Sequence, residues 1–391
     1  MAREILIGVY LFVFKIIYSL FYFCAVQKKI TFVISFEENN RFLYRELIKQ
    51  DPSMDMIILH KGKISKGFQK LLTQNTKTIH FTKNVKNWIT AVYHISTSKV
   101  IIVDNYYGFL AAMRFKENVE CIQIWHAAGA LKTFGFADKS TLTRSKRANK
   151  RFKRVYSKFH KIVVGSEKMA EIYFDAFDAA PENILRTGIP RTDFFFNKKK
   201  MAERRAKVLK KYPSFEGKKI IMYAPTFRNG LMNDDQMPLD VEKMYMEFKD
   251  EHLLLIKTHP SVNNSNRYEE KYPEFAYNLS SYKRVNDLLV VADYLITDYS
   301  SIPFEYAILQ KPMIFFDYDY EQYKRERGLI PDYKKIVPGP IAYNTEQIAK
   351  IIQENNFNMD QIREFSLDWN TYSDGHSSKR LAGYVVQRIN Q

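Results

Sequence analysis

Cysteine is nearly absent: the chain has two in 391 residues, Cys24 and Cys121, both in apolar surroundings. So few thiols exclude a disulfide framework and a cysteine-based zinc site, and they fit a reducing cytosol. The glycine-rich phosphate loops are missing too. No G-x-G-x-x-G follows a strand-like run and no G-x-x-x-x-G-K-[ST] occurs, which excludes a dinucleotide fingerprint and a P-loop. There is no H-E-x-x-H, and neither "DNYYG" nor "DYD" makes an EF-hand loop; Asp317–Asp319 reads as a turn rather than a metal cage. No metal-binding residues are expected, and the metal requirement stays open. Acidic residues are in deficit, 43 against 60 Lys and Arg, leaving a formal charge of +17. Such a balance asks for an anionic partner: nucleic acid, an anionic membrane surface or an anionic substrate. Low-complexity tracts and repeats between the halves are absent as well.

What is present begins with an apolar run, "EILIGVYLFVFKIIYSLFYFCAVQKK", residues 4–29. Its length approaches that of a spanning helix. A spanning helix would bury Lys15 near the bilayer centre, at roughly 3 kcal/mol. A secretory signal would need a small-residue cleavage site, and none is evident. An interfacial or docked helix lets Lys15 reach water, with Lys28 and Lys29 facing anionic headgroups. The three readings stay open, with the peripheral (monotopic) one preferred.

Beyond it, 391 residues exceed what one core usually serves. Short β-branched runs ("KITFVISFEEN", "MDMIILHKG", "TKTIHFT", "SKVIIVDN", "NVECIQIWHA", "FHKIVVGSEK") alternate with helical patterns ("NRFLYRELIKQ", "VKNWITAVYHIST"), and Ser166 suits an N-cap. A second series follows: "KIIMYAPTFR", "HLLLIKTHP", "EFAYNLSS", "DYLITDYSS" and "KPMIFFDYD". Alternation of this kind implies parallel sheets with helical crossovers. The expected organisation is an apolar helix (1–29), an N-terminal α/β domain (30–196), a basic, poorly ordered-looking linker with a helix (197–214), a C-terminal α/β domain (215–370) and a terminal helix (371–391). Two doubly wound sheets with a cleft between them suit a nucleotide-using transferase, with ligands beyond the carboxyl ends of the strands.

The polar residues at those ends carry the chemistry: Asp104, His126, Arg191, Thr226, Arg228, His259, Ser300 and Ser301. In "QIWHAAGALKTFG" a strand is expected to run through Trp125 straight into His126, and Gly129 leaves room for close ligand approach. An imidazole there can take a hydroxyl proton, or merely cap a neighbouring backbone group. In "TDYSSIPFEYAI" Ser300 and Ser301 open a helix whose amides suit an anion, and Glu305, one turn on, suits sugar hydroxyls; a plain N-cap and a solvated charge are the alternatives. Lys257 with His259, Thr226 with Arg228, and Arg191 offer cations and donors for a diphosphate, although a lone arginine is more often a salt-bridge partner. Phosphate handling by arginine, histidine and helix ends, without a metal cage, is the reading.

In order, "WHAAGALK", "GIPRTDFF", "YAPTFR", "KTHP", "ITDYSSIPFEYAIL" and "KPMIFFDYDYEQYKRERGL" resemble the CDP-glycerol glycerophosphotransferase family of teichoic acid synthesis, through most of the chain after about residue 30. Within it, "TFVISFEEN", "VIIVDNYY", "CIQIWHAAGALKTFG" and "WNTYSDGHSS", together with the short length, resemble the glycerol-phosphate primases. The resemblance implies a GT-B-like fold, two facing α/β domains, with CDP-glycerol held mainly by the second. Carried over by position, the donor site comprises His126, Ala127, Ala128, Gly129, Ala130, Arg191, Pro225, Thr226, Lys257, Thr258, His259, Ser300, Ser301 and Glu305. Ala130 stands where proline is common, Lys257 where arginine is frequent and Glu305 where aspartate is. The implied reaction moves one glycerol phosphate from CDP-glycerol, a substrate rather than a cofactor, to N-acetylmannosaminyl-N-acetylglucosaminyl undecaprenyl diphosphate at the cytoplasmic membrane face, releasing CMP. His126 would be the base. His259, Lys257, Arg191, Thr226 and Ser300/Ser301 would stabilise phosphate charge, and Asp298 would shape its turn. Exchanged histidine roles are the nearest variant. Rival readings are a polymerase of the same family, with glycerol or ribitol phosphate, a UDP-sugar glycosyltransferase, and a non-catalytic basic protein on membrane or nucleic acid; the strand-end placement argues against nucleic acid.

Overall fold

The computed structural model describes residues 2–228, 237–258 and 267–391. The chain forms two compact units: Met1–Ala128, Phe134–Asp193 and Asn370–Gln391 make the first, and Gly129–Thr133 with Phe194–Trp369 make the second.

In the first unit the order is α1 (Ala2–Phe21), β1 (Gln27–Ile34), α2 (Glu37–Gln50), β2 (Asp55–His60), α3 (Lys66–Gln69), β3 (Thr76–His80), α4 (Val85–Thr97), β4 (Ser98–Val103), β5 (Glu120–Gln123), α5 (Lys146–Tyr156), β6 (Lys161–Val163), α6 (Glu167–Phe177) and β7 (Ile184–Leu185). The strands form a parallel sheet in the order β3-β2-β1-β4-β5-β6-β7. Runs such as Val100–Val103 are buried on both faces because helices cover both, which is why they read as continuous apolar stretches. Ser166 caps α6 as expected, accepting from the Met169 amide.

The second unit contains α7 (Lys198–Lys211), β8 (Lys219–Tyr223), α8 (Val241–Phe248), β9 (His252–Ile256), α9 (Arg267–Lys271), β10 (Ala276–Asn278), α10 (Val285–Val291), β11 (Tyr294–Thr297), α11 (Ile302–Tyr306), β12 (Met313–Phe316), α12 (Tyr320–Glu326), α13 (Tyr333–Ile336), β13 (Ile341–Ala342), α14 (Thr345–Glu354) and α15 (Met359–Trp369). Its parallel sheet runs β10-β9-β8-β11-β12-β13. The basic run expected as a linker with a helix forms the regular helix α7 over Lys198–Lys211. Arg204 pairs with buried Asp287 of α10, so the run has an anchored face that a count of lysines does not reveal.

The last helix, α16 (Ser377–Asn390), belongs to the first unit and packs on α2. Asp193 caps it, accepting from the Ser377 and Ser378 amides at 2.9 and 2.8 Å. Gly188, at φ +80°, lets the returning strand pass; a Cβ there would stand 2.2 Å from the Tyr372 carbonyl oxygen.

Helix α1 is long and apolar enough to cross a membrane by length and composition. Here Phe14 and Tyr18 are buried in the first unit, Phe14 stacking on Phe109 at 5.3 Å, while Leu6, Phe12 and Leu20 remain 64–70% exposed.

Lys29, at the start of β1, is 1% exposed. Its ammonium donates to Gln27 Oε1 and Thr97 Oγ1 at 2.8 and 2.6 Å and lies 3.2 Å from His94 Nδ1. Burial pushes it down from 10.5 to about 8, and burial with the Lys29 charge pushes His94 down to about 4. Between those two Lys29 values the unfolded chain holds the extra proton, so this group makes the protein gain stability as pH rises through that window. Lys29→Met is expected to flatten the rise by on the order of 2 kcal/mol between about pH 8 and pH 10, read by denaturant titrations of both proteins. An unchanged slope would show that the ammonium is not desolvated.

Candidate active site

Each sheet turns back on itself once. In the first unit the reversal lies between β1 and β4, and in the second between β8 and β11. Loops diverge at such reversals, and the strands' carboxyl ends there are the usual ligand position in open α/β sheets.

Asp104 follows β4 and is fully buried. Its carboxylate reaches across the reversal to the loop after β1, accepting from the Ser35 and Phe36 amides at 2.9 and 2.8 Å, from Asn40 Nδ2 at 2.8 Å and from the Tyr107 hydroxyl at 2.7 Å. Burial raises its pKa to about 6, although each of those donors pulls the other way.

The backbone carbonyl of the same residue lies 3.0 Å from His126 Nδ1. A carbonyl can only accept, so Nδ1 carries the proton of the neutral imidazole and the lone pair sits on Nε2. The ring is sandwiched between Phe36 and Trp125, both with centroids at 4.3 Å. Strand β5 stops at Gln123, two residues short of the run expected through Trp125. Ile124 still bonds Val103, then Trp125 turns to φ +49°, a conformation costly for a bulky side chain and a mark of functional loops. Asn39, 2% exposed, holds that turn by donating to the carbonyls of Ile124 and Trp125 at 3.1 and 3.0 Å and accepting from the Arg191 amide at 3.1 Å. Arg191 Nη1 donates to the His126 carbonyl at 2.8 Å. The expected arginine is thus, in this state, a brace for the histidine loop.

In the second unit β9, β8 and β11 are adjacent and parallel, so their carboxyl ends form one row: Lys257 and Thr258, Pro225 and Thr226, Ser300 and Ser301. Asp298, 1% exposed, repeats the bridging device, accepting from the Thr226 amide at 2.8 Å. Thr226 Oγ1 is buried with no partner among the described residues. Lys257 donates to the Ser280 carbonyl at 2.6 Å, and burial lowers its pKa. Thr258 Oγ1 lies 2.8 Å from Ser280 Oγ. Ser300 Oγ accepts from the Ile302 amide at 3.2 Å. The helix that follows has five residues before a 3-10 turn, so its dipole is much weaker than a long helix would supply. His259 lies outside the described residues.

The family model described as CDP-Glycerol:Poly(glycerophosphate) glycerophosphotransferase matches residues 16–387. The teichoic acid glycerol-phosphate primase of Bacillus subtilis (strain 168) is 37% identical over 396 residues, 99% of each chain. The teichoic acid poly(ribitol-phosphate) polymerase of Bacillus spizizenii is 36% identical over 351 residues, 89% of this chain but 54% of the polymerase, so this chain matches about half that protein's length. In fold, the wall teichoic acid polymerase TagF superposes with a TM-score of 0.78 at 24% identity, over 99% of this chain and 97% of that one.

The chain belongs to the CDP-glycerol:poly(glycerophosphate) glycerophosphotransferase family.

For a family member the histidine segment holds surprises. Ala127 and Ala130 are 8% exposed and Ala128 is fully buried, so the segment presents little surface. The space beside Gly129, expected for a ligand, is filled by Phe304: a Cβ would stand 2.5 Å from its ring. Arg228, a phosphate candidate by position, is neutralised. It pairs with Asp298 at 2.9 Å and Asp319 at 2.7 Å and donates to the Thr226 carbonyl, under Tyr299, Tyr318 and Tyr323. Burial opposes its charge, but the two carboxylates outweigh that and raise its pKa further. Glu305 is 1% exposed, so it is no solvated charge. Asp317, of the "DYD" turn, is pushed up to about 7 by burial and bonds the Tyr333 hydroxyl.

Gly129→Ala is expected to cost about 1–3 kcal/mol of stability through the clash with Phe304, with Phe304→Leu in the same chain recovering part of it. Chemical denaturation of the single and double variants reads this directly; equal stabilities for Gly129→Ala and wild type would show that the contact is slack.

Proposed function

We propose that this protein transfers a single glycerol phosphate from CDP-glycerol to a lipid-linked disaccharide, the priming step of teichoic acid synthesis. The carrying observation is the His126 imidazole, held by the Asp104 carbonyl with its lone pair on Nε2. The acceptor hydroxyl attacks the glycerol-bearing phosphorus as Nε2 takes its proton. A bond forms between the acceptor oxygen and that phosphorus, the bond to the bridging oxygen of the diphosphate breaks, and CMP leaves with the electron pair. An alcohol is a poor nucleophile at neutrality, and a positioned base of this kind contributes roughly 10²–10⁴ in rate.

Charge on the diphosphate is met by Lys257, Arg191, the Thr226 hydroxyl, Thr258, His259 and the amides at Ser300 and Ser301. By the family resemblance Pro225 and the Ala127–Ala130 backbone would also contact the donor, and Glu305 would accept from ribose or glycerol hydroxyls. Lys257 would give up the Ser280 carbonyl for a phosphate oxygen, a stronger acceptor for an ammonium. Priming is preferred because the likeness to a glycerol-phosphate primase runs along 99% of both chains. The 36% identity to a ribitol-phosphate polymerase supports the second reading, chain extension.

The acceptor's lipid remains in the bilayer, so the enzyme works at its surface, on the cytoplasmic side where the nucleotide is available. Helix α1 suits that placement without crossing: Phe14 and Tyr18 fix one face to the first unit, and the exposed aromatic and aliphatic face would lie in the interface. Neighbouring α5 carries six cations in 11 residues, a match for anionic headgroups.

Incubation with CDP-glycerol and a lipid-linked disaccharide, followed by mass analysis, is expected to give one added glycerol phosphate and stoichiometric CMP. A ladder of products, or preference for CDP-ribitol, would instead establish the polymerase reading. His126→Ala should reduce turnover by about 10²–10⁴ while leaving CDP-glycerol affinity within about threefold. Normal turnover in that variant would remove His126 from the base role and direct attention to His259.

A further inference from the structure

Along α5, Arg147, Lys150 and Arg154 fall at helical spacing on one face. They border a groove of about 1040 Å³ whose other wall is α1, with Phe12 and Lys15, and Tyr22 just beyond its end. No acidic side chain lines this groove among the described residues. The nearby carboxylate of Glu4 is committed to Arg151 at 2.8 and 3.2 Å, and no ion pair occupies Arg147, Lys150 or Arg154 among the described residues. Phe12 is 64% exposed and Phe23, at the groove's end, 90%. One wall is therefore mainly apolar and aromatic, with Lys15 as its one cation among the described residues, and the other is cationic, a combination that fits an amphiphile with a multiply charged head and a hydrocarbon tail.

The opposite face of α5 points inward. Tyr156 packs on Phe177 at 4.6 Å, Phe177 on Trp125 at 5.3 Å, and Trp125 on His126 at 4.3 Å. Three ring contacts thus separate the helix that bears the cations from the imidazole. The helix that bears the cations is thereby packed, through buried rings, against the imidazole's support.

We propose that the groove between α1 and α5 seats the diphosphate and the first part of the hydrocarbon chain of a lipid diphosphate, the acceptor's membrane end. The inference rests on the acceptor reading given above. A bilayer phospholipid presents one phosphate charge at a time. Three unspent cations converging in one groove match a diphosphate better, and charge-assisted bonds to phosphate are the strong ones.

The test uses the full chain and phosphatidylcholine vesicles carrying either a long-chain polyprenyl diphosphate or phosphatidylglycerol at equal charge. Wild type should bind the diphosphate vesicles at least about tenfold more tightly. Arg147→Ala/Lys150→Ala/Arg154→Ala should lose that preference and raise KM for the lipid-linked acceptor about tenfold or more, with KM for CDP-glycerol and Tm unchanged. A control removing three exposed cations elsewhere, Lys335→Ala/Lys350→Ala/Arg363→Ala, should behave as wild type. If the triple groove variant fails to fold, Lys150→Glu alone carries the same measurement. Equal binding of wild type to both vesicles, or an unchanged acceptor KM in the variant, overturns the groove. Absence of CMP release by wild type overturns the transferase reading instead, and leaves the vesicle comparison to decide the groove by itself.

Discussion

A buried aspartate spans the point where each sheet reverses its strand order. In a parallel sheet the loops on either side of such a reversal run in opposite directions, so nothing in the backbone ladder joins them. Asp104 joins them in the first unit by taking the Ser35 and Phe36 amides, and Asp298 does so in the second by taking the Thr226 amide. Both carboxylates are nearly inaccessible, which is costly unless every lone pair is used. Asp104 offsets that cost with four donors, and Asp298 with one donor on each oxygen, an amide and the Arg228 guanidinium.

The consequences differ between the two crevices. In the first, fixing Phe36 and the Asp104 backbone supplies one wall of the imidazole sandwich and the carbonyl that selects its tautomer. The left-handed Trp125 supplies the other wall, and Asn39 holds its carbonyl. A strained residue persists only where its surroundings over-determine it, and here Asn39 takes its carbonyl and Gln123 its amide. In the second, Asp298 spends its remaining oxygen on Arg228, which leaves Lys257 and the hydroxyls of the strand ends as the groups with chemistry to offer. Residues that look alike in sequence thus divide into those that build the crevice and those that face it.

Much of the fold was legible because both sheets are covered on both faces. Their strands read as unbroken apolar runs, and the turn residues after them are polar. Ordered blocks from "WHAAGALK" to "KPMIFFDYD" pointed to the family, and the chain belongs to it. What the sequence did not reveal depends on contacts between distant residues. That Arg228 is neutralised requires Asp319 to be beside it. That Gly129 makes room for Phe304, rather than for a ligand, requires two segments 175 positions apart to meet. The role of Asn39 was hidden in a helix that otherwise reads as amphipathic; two successive asparagines on its buried side, Asn39 and Asn40, were the available signal. A helix was expected over the basic run, but its anchor was not, since Arg204 to Asp287 joins residues 83 apart.

The central claim is that the Asp104 carbonyl fixes the His126 proton on Nδ1 and leaves Nε2 as the base. Nitrogen-15 NMR of histidine-labelled protein, with the His126 signals assigned from the His126→Ala spectrum, measures this directly. The account predicts a protonated Nδ1 and an unprotonated Nε2 at pH 8. A His126 spectrum with the proton on Nε2 would contradict it.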